Sequence, residues 1–217
     1  KSIFIHKKIC ELVAICDNDI ERLNEARKII EDFQTEFNHK LFNLKEFDND
    51  YSLFIDIQQN RLKVDLLVLT TPSGLHPKHT IMGAELGINI CTEKPMATTW
   101  EDGLKMLEVC KKKNVKLFVV KQNRFNKTIS LVKDQIRKKR FGKIGLVVVN
   151  VFWQRPQSYY DQDDWRGTLA LDGGALMNQA SHYVDLLDWM IGPVESINAS
   201  TSTVVRDIEA EDTAALK

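Results

Sequence analysis

Long apolar runs are absent from this sequence of 217 residues. No uninterrupted apolar segment reaches the roughly 18 residues that a membrane-crossing helix needs, and the amino terminus lacks the pattern of a secretory signal peptide. These absences predict a cytoplasmic protein without a membrane partner. Hydrophobic residues make up 43% of the chain and charged residues 28%, which is typical of folded proteins with one large domain or two small ones.

Cysteine is scarce and follows no metal-binding pattern. The four cysteines, Cys10, Cys16, Cys91 and Cys110, lie in apolar or helical contexts and show no CxxC spacing. This distribution predicts buried free thiols in a reducing compartment. It argues against a disulfide framework or a zinc site, and we predict no metal.

An excess of charge of either sign is also missing, since 30 basic residues balance 30 acidic ones. A nucleic-acid-binding surface usually requires a basic excess. The two short basic runs, residues 111–113 and 137–140, each end a predicted helix, where cations interact favourably with the helix dipole. We therefore predict no nucleic-acid partner.

The first half of the chain contains a regular alternation of strands and helices. Apolar runs predict strands at residues 11–17, 64–70, 88–92 and 116–121, and helical spacing predicts helices at 20–33, 53–59, 79–86 and 100–113. This alternation indicates an α/β fold with a parallel sheet covered by helices on both faces. Ligands of such sheets bind at the carboxyl ends of the strands.

Asp17 closes the first of these strands. An acid at this place in a dinucleotide-binding fold accepts hydrogen bonds from ribose hydroxyls, which favours NAD over NADP. The alternative is an ordinary helix cap or loop acid. A glycine-rich phosphate loop should precede such a strand, yet the first glycine is Gly74. Either the loop lies before residue 1 or the protein has none; residues 2–9, which are typical of the helix after such a loop, favour a truncated chain.

Lys94 lies just after the third strand and is followed by Pro95. A lysine at the end of a buried strand, stiffened by the proline ring, is a suitable place for a reactive ammonium group. We predict that Lys94 works together with a second cluster far along the chain.

After residue 123 the alternation stops. We predict a helix at residues 129–139, a valine-rich strand at 146–153, a polar and aromatic segment at 154–167, a helix at 175–191, and strands near 196–204 and from 212 onwards. This pattern indicates an α+β region with antiparallel strands, which the chain does not complete. The predicted domains are residues 1–123 and 124–217.

Asn178, His182 and Asp185 are spaced i, i+4 and i+7 on the predicted helix and so share one face. Asp185 would hold the His182 ring in one tautomer while the other ring nitrogen accepts a substrate proton. The alternative is a histidine that only packs. A metal site is disfavoured because Asn178 is a poor ligand.

Read in order, these motifs resemble the Gfo/Idh/MocA oxidoreductases: Glu93-Lys94-Pro95, Gln122-Asn123-Arg124-Phe125, and Gly173-Gly174 followed by Asn178, His182 and Asp185. The resemblance covers nearly the whole chain. It implies an NAD(P)-binding Rossmann domain, then an α+β domain with an open, mostly antiparallel sheet that binds sugar-like substrates. It also implies NAD-dependent hydride transfer at a sugar or polyol hydroxyl, a homo-oligomer (dimer or tetramer), and a candidate cis bond before Pro95.

The resemblance also implies roles for individual residues. Lys94 matches the lysine near the nicotinamide and the reacting hydroxyl, and His182 matches the general base. Many relatives carry aspartate where this chain has Asn178, which as an amide can only position substrate. The cofactor-lining positions are Asp17, Thr70, Thr71, Pro72, Leu75, His76, Glu93, Lys94, Gln122 and Asn123.

Within the family, residues 153–168 and 172–179 resemble the branch that oxidises UDP-N-acetylglucosaminuronate at C3 for bacterial surface polysaccharides. Arginines could pair with a uronate or diphosphate, and aromatic rings could line the pocket; equally, these side chains could pack a loop or lie on the surface. The candidate substrate contacts are Lys94, Arg124, Arg155, Tyr159, Tyr160, Trp165, Arg166, Asn178 and His182. The alternatives are an inositol or simple sugar dehydrogenase, a reductase, and a non-catalytic nucleotide-sensing or scaffold protein.

Overall fold

The predicted alternation of strands and helices is present in the structure, a computed structural model that describes residues 1–217. The chain divides into two units, Lys1–Leu67 and Val68–Lys217. Parallel strand pairs occur in the first half and an antiparallel pair near the end. These pairings agree with the expected Rossmann-like parallel sheet followed by a region with an antiparallel sheet.

The first unit is built around one pair of parallel strands. Its elements are α1 (Ser2–Ile5), β1 (Ala14–Cys16), α2 (Ile20–Glu36), β2 (Lys45–Phe47) and α3 (Asp50–Gln58). Ala14 of β1 lies opposite Lys45 of β2. The sequence reading missed β2, because Lys45-Glu46-Phe47 offers only one apolar residue to mark a strand.

Helix α2 shows how local sequence sets an element in this unit. Asp19 is its N-cap, and the side chain accepts hydrogen bonds from the backbone N–H groups of Glu21 and Arg22, which would otherwise lack partners. Ile30 lies on the buried side of the helix and packs in a core cluster with Phe4 and Leu41.

A three-stranded sheet follows, whose first strand contains the border between residues 67 and 68. Strands β3 (Leu66–Leu69), β4 (Asn89–Thr92) and β5 (Leu117–Val119) are neighbours in that order, and β4 runs parallel to β5. The helices between them are α4 (His76–Glu85), which follows a 3₁₀ turn at Ser73–Leu75, and α5 (Trp100–Lys112). Thr99 caps α5 by accepting a hydrogen bond from the Asp102 N–H. Threonine is among the residues that favour this position.

The remainder of the second unit mixes helices with one hairpin. A 3₁₀ turn at Gln122–Phe125 is followed by α6 (Lys127–Arg137), α7 (Gln157–Tyr160), a π-helix at Ala175–Gln179 and α8 (Ser181–Ile191). The antiparallel pair β6 (Ala199–Ser202) and β7 (Thr213–Leu216) comes last. None of the helices in the chain combines the length and the apolar character that crossing a bilayer requires.

The strand predicted at residues 146–153 is wrong for the structure as described. This segment has no strand pairing, and Leu146, Val148 and Phe152 are largely exposed. A strand needs a neighbouring strand to bond its backbone groups, and within residues 1–217 β6 and β7 pair only with each other. The apolar pattern is therefore present without a partner.

The prediction of buried cysteines also needs correction. All four thiols are free, but Cys10 and Cys16 are exposed, Cys91 is partly buried, and only Cys110 is buried. Cys16 ends a strand of three residues, and this short strand does not enclose its side chain.

His76 joins the loops that follow β3 and β4. Its side chain is almost fully buried, and each ring nitrogen lies 2.9 Å from a backbone carbonyl oxygen, Nδ1 from that of Pro95 and Nε2 from that of Thr71. Burial lowers the pKa of His76, against the opposite influence of the two carbonyl groups. The ring thereby connects the two strand ends that carry most of the candidate site.

We predict that His76→Phe destabilises the protein while keeping the volume of a ring. A neutral ring donates through only one of its nitrogens, so the carbonyl oxygen of either Thr71 or Pro95 loses its donor, which costs about 1–3 kcal/mol and lowers the Tm by roughly 3–10 °C in a domain of this size. Thermal unfolding of the full-length protein measures this change. His6→Phe, at an exposed position, is the control and should leave the Tm nearly unchanged; an equal Tm for both variants would contradict the role of His76.

Candidate active site

Lys94 lies two residues beyond β4, and its side chain contacts a distant part of the chain. Nζ donates hydrogen bonds to Oδ1 of Asn178 at 2.8 Å and to the backbone oxygen of Asn178 at 3.1 Å. The peptide bond between Lys94 and Pro95 is cis, as predicted. Burial lowers the pKa of Lys94, whereas the charges of Glu93 and Asp172 act in the opposite direction. The structure thus brings two predicted site residues together across 84 positions of sequence.

The segment that carries Asn178 is a π-helix, so the prediction of one continuous helix over residues 175–191 is wrong. The Ala180 N–H donates to the Ala175 oxygen at 2.7 Å, a five-residue turn, and α8 begins only at Ser181. Gly173 and Gly174 precede it with φ of 87° and 81°, a conformation that glycine adopts without strain. Such π turns recur at functional sites; here one lies where the Asn178 backbone oxygen accepts from Lys94.

Glu211 holds the start of this π-helix. Its backbone oxygen accepts from the Ala175 N–H at 2.9 Å, and its carboxylate accepts from the Leu176 N–H at 2.8 Å. A side chain at Gly174 would collide with this carboxylate. The glycine pair and Glu211 together determine where Asn178 lies.

His182 lies in the first turn of α8 and is 8% exposed. Burial lowers the pKa of His182, and the positive charges of Lys94 and Lys121 lower it further. The ring is therefore neutral at neutral pH, which is the state that a general base requires.

Asp185 does not orient the His182 ring, contrary to the prediction. Its carboxylate accepts two hydrogen bonds from Arg124, Nε at 2.8 Å and NH2 at 2.7 Å, and lies 3.6 Å from Nζ of Lys121. The planar guanidinium matches the two carboxylate oxygens, so this pairing satisfies both. Arg124, predicted as a substrate contact, is engaged in an intramolecular ion pair, and its guanidinium also lies 5.7 Å from the Trp189 ring.

Two arginines and three aromatic rings form a stacked array in residues 153–166. The Arg155 guanidinium lies 4.4 Å from the Trp153 ring and 4.8 Å from the Tyr159 ring, and Arg166 lies 4.4 Å from Tyr159 and 4.8 Å from Trp165. Stacking uses the faces of the guanidinium groups and leaves in-plane N–H groups for other partners. Nε of Arg155 is buried without a hydrogen-bond partner. Such an array can bind an anion next to a ring.

Tyr160, the last member of the predicted substrate set, borders this array, and Arg166 within it has a further partner. The Tyr160 ring is buried edge-on against Tyr159 at 5.2 Å, and burial raises the pKa of its hydroxyl. Nε of Arg166 donates to Asp163 at 2.9 Å, so part of this guanidinium already has a partner. The packing alternative and the binding alternative are therefore both compatible with these contacts.

Most residues expected to line the cofactor lie beyond strand ends in the second unit. Thr70 follows β3 and is exposed, and the Glu93 N–H, after β4, donates to the Leu69 oxygen at 2.9 Å. The others occupy the loop and 3₁₀ turns after β3 and β5 or, for His76, the start of α4: Thr71, Pro72, Leu75, His76, Gln122 and Asn123. These strand ends are the side of an α/β sheet where ligands bind.

Asp17 belongs to the first unit, where it directly follows β1. Its N–H donates to the Phe47 oxygen at 3.1 Å, and its Oδ1 accepts from the Asp19 N–H at 2.9 Å. One carboxylate oxygen therefore stabilises the turn into α2.

Asp172 is a component of the site that the sequence reading missed. It is 1% exposed, and its carboxylate accepts hydrogen bonds from the side-chain amide of Asn178 and from the Gly167 N–H. An aspartate before two glycines is typical of a turn, so its spacing alone indicates no chemistry. The available signal was Asn178, an amide where many relatives carry an aspartate, which leaves Lys94 without one carboxylate neighbour.

Two family models match the chain. A model described as the oxidoreductase family with an NAD-binding Rossmann fold matches residues 1–121, and a model of the GFO/IDH/MocA C-terminal domain matches residues 129–216. These matches confirm the resemblance inferred from the motifs.

Solved structures with a similar chain include two WlbA dehydrogenases in complex with NADH and UDP-GlcNAcA. The protein from Bordetella pertussis is 49% identical, with a TM-score of 0.84. The match covers 98% of this chain and 57% of the Bordetella chain. The protein from Chromobacterium violaceum is 46% identical, with a TM-score of 0.86. The match covers 99% of this chain and 57% of the Chromobacterium chain.

A more distant relative is scyllo-inositol 2-dehydrogenase (NADP(+)) of Bacillus subtilis, 28% identical over 69% of this chain and 41% of that protein. D-apiose dehydrogenase of Paraburkholderia graminis is 26% identical over 95% of this chain and 50% of that protein. The chain thus spans only about half the length of the proteins it matches.

We predict that the Arg124–Asp185 pair couples the turn after β5 to α8. In a double-mutant cycle of Arg124→Met and Asp185→Asn, the coupling free energy of unfolding should be about 1.5–3 kcal/mol, because Asp185 is nearly buried and bonded twice. Urea unfolding of the full-length protein measures it.

The exposed pair Arg137–Asp134 is the matched control. Its cycle should give less than about 0.5 kcal/mol. Equal coupling in both cycles would show that the Arg124–Asp185 pair is an ordinary surface contact.

Proposed function

We propose that this chain, which belongs to the Gfo/Idh/MocA oxidoreductase family, is part of an NAD-dependent dehydrogenase that oxidises a sugar hydroxyl, with C3 of UDP-N-acetylglucosaminuronate as its substrate position. One observation carries the proposal: the Lys94 ammonium is held on Asn178, close enough for its charge to act on the buried, neutral His182. A cation and a neutral imidazole in one place are the groups that alcohol oxidation requires.

The residues present fit the nicotinamide end of a dinucleotide. Thr70 is exposed beyond β3, Glu93 and Lys94 lie beyond β4, and Gln122 is exposed beyond β5, so three strand ends offer polar groups. When bound, NAD supplies the hydride acceptor. In the first unit, the Asp17 carboxylate would accept hydrogen bonds from the ribose hydroxyls of the cofactor, which favours NAD over NADP. No glycine-rich loop lies within residues 1–73, so pyrophosphate contacts are not assigned to this chain.

In the proposed chemistry His182 removes the proton from the substrate hydroxyl. Neither ring nitrogen has a hydrogen-bond partner within the chain, so one is available as the acceptor. The lowered pKa keeps the ring unprotonated at neutral pH.

Lys94 lowers the effective pKa of the same hydroxyl by charge and hydrogen bonding. An ammonium group has three N–H donors, and two of them point to Asn178. The third remains for the substrate oxygen. Asn178, as an amide, positions Lys94 and substrate without exchanging protons.

The nucleotide-sugar assignment is supported by the stacked array and by the WlbA likeness. Arg155 and Arg166 offer positive charge beside aromatic rings, which suits a uronate, a diphosphate or a uracil ring. The two WlbA structures, at 46–49% identity, hold UDP-GlcNAcA. In this proposal the product enters bacterial surface-polysaccharide synthesis.

Two rival functions remain. The scyllo-inositol 2-dehydrogenase relative favours a simple sugar or polyol dehydrogenase of the same family, and a non-catalytic nucleotide-sensing protein would retain the fold without turnover. The domain border at residue 123, the cytoplasmic location, the homo-oligomer and the oxidative direction stay predictions.

We predict that His182→Asn and Lys94→Ala each lower the kcat of the full-length enzyme by about 10²- to 10⁴-fold, because each removes an acid–base or charge contribution. Calorimetric titration should show that NAD still binds. Lys127→Ala, at an exposed residue that starts α6, is the control and should keep normal turnover. Near-normal kcat in either active-site variant would refute the proposed role.

The pH profile tests the same base. Protonation of His182 removes its acceptor, so kcat should fall as pH decreases; because burial lowers the pKa of His182, this fall should occur below the ordinary histidine value. An acid limb at or above that value would indicate another base.

A substrate panel separates the rivals. With full-length protein and NAD, absorbance of the reduced nicotinamide should give a kcat/KM for UDP-N-acetylglucosaminuronate about 10- to 100-fold above that for UDP-N-acetylglucosamine, which has a neutral hydroxymethyl group in place of the carboxylate. Preference for inositol would favour the polyol rival, and absence of turnover on every substrate would favour the non-catalytic one. Replacing NAD by NADP tests Asp17.

A further inference from the structure

Asp172 is the only buried carboxylate of the 217 residues. Its Oδ2 accepts a hydrogen bond from the Gly167 N–H at 2.8 Å, and its Oδ1 accepts one from the Nδ2 group of Asn178. Both donors are uncharged. A carboxylate buried with uncharged partners costs more free energy than an apolar side chain of that size, so its presence beside the site calls for a function.

The carboxylate determines which way the Asn178 amide points. A carboxylate can only accept hydrogen bonds, so it selects the NH₂ end of the amide. The amide oxygen is then directed away from Asp172, and it lies 2.8 Å from Nζ of Lys94. Without Asp172 the amide could turn and present its NH₂ end to the ammonium, where two donors would face each other.

The charge of Asp172 acts on the same lysine. Five ionisable groups act on Lys94 or are acted on by it. Glu93 and Asp172 favour its charged form, and Lys121 and Arg155 oppose it. The fifth, His182, is neutral and adds no charge. Burial also opposes the charged form. Two cations thus oppose the charged form of Lys94, and Asp172 is one of the two carboxylates that offset them.

We propose that Asp172 is a positioning residue that acts through Asn178: it orients the amide so that its oxygen holds the Lys94 ammonium, and its negative charge keeps Lys94 protonated. Asp172 therefore contacts Lys94 indirectly: its carboxylate is hydrogen-bonded to the Asn178 amide, and the oxygen of that amide is hydrogen-bonded to the Lys94 ammonium. The inference rests on the proposed function only for the use of Lys94 in turnover; the orientation of Lys94 is a property of the folded protein.

A purely structural role is the rival explanation, because Asp172 also accepts the Gly167 N–H in a turn. This role predicts a loss of stability in Asp172 variants without any change in the protonation of Lys94. The test must therefore read the protonation of Lys94 itself.

The test is competitive acetylation of the full-length protein with acetic anhydride over a range of pH, without substrate or cofactor. Mass spectrometry follows Lys94, with exposed Lys127 as an internal standard. In Asp172→Asn the midpoint of the Lys94 reactivity curve should move down by about one pH unit, equivalent to about tenfold more free amine at a given pH.

An exchange variant provides the rescue. Asp172→Asn combined with Asn178→Asp keeps one carboxylate and one amide at this place, and the new carboxylate contacts Lys94 directly. The midpoint should return to the wild-type value or above it. If Asp172→Asn does not fold, Asn178→Ala tests the same connection between Asp172 and Lys94, because it removes the amide that joins them. It should also lower the midpoint of the Lys94 reactivity curve.

Asp212→Asn is the matched control, because Asp212 also accepts backbone N–H groups, those of Val204, Val205 and Arg206. It should leave the Lys94 midpoint unchanged. An unchanged midpoint in Asp172→Asn, no recovery in the exchange variant, or an equal shift in Asp212→Asn would overturn the proposal.

Turnover of the same variants distinguishes this inference from the proposed function. The kcat should fall in Asp172→Asn and recover at least in part in the exchange variant. If the acetylation shifts appear while the wild-type protein turns over no substrate, the role of Asp172 stands and the dehydrogenase assignment fails. If the wild-type protein turns over its substrate normally but the acetylation shifts are absent, the dehydrogenase assignment stands and the proposed role of Asp172 fails.

Discussion

The contact between Lys94 and Asn178 is the interaction on which the candidate site depends. It joins the end of β4 to the π-helix before α8, and these elements are separated by 84 positions in sequence. Each side is held by its own support: His76 bridges the loops after β3 and β4, and Glu211 bonds the start of the π-helix. The active groups therefore lie on anchored backbone, which precise chemistry requires.

The electrostatics of the site follow from its burial and from an uneven distribution of charge. Lys94 and His182 both have lowered pKa values, first because of burial and then because of neighbouring cations. A neutral imidazole beside a cation is stable in such surroundings, whereas two cations side by side would repel. Asp185 makes no hydrogen bond to His182, since Arg124 occupies both its oxygens; its negative charge only offsets part of the lowering of the His182 pKa.

The fold of the first half could be read from local patterns. Apolar runs marked β1, β3, β4 and β5, and apolar residues at helical spacing marked the helices between them, because these signals act over a few residues. β2 was not predicted, because Lys45-Glu46-Phe47 lacks an apolar run. The segment 146–153 shows the reverse error: it has the composition of a strand but no neighbour to pair with, and pairing is not a local property.

The sequence by itself determined the residue types of the site, Lys94 after a strand and His182 on a helix, together with the family that this pattern resembles. Only the tertiary structure decided how they are arranged. It placed Asp185 on Arg124 instead of His182, broke the predicted helix into a π-helix and α8, and brought Asp172 behind Asn178. The physical reason is that hydrogen-bond partners and burial depend on which distant segments meet, and spacing along the chain does not carry that information.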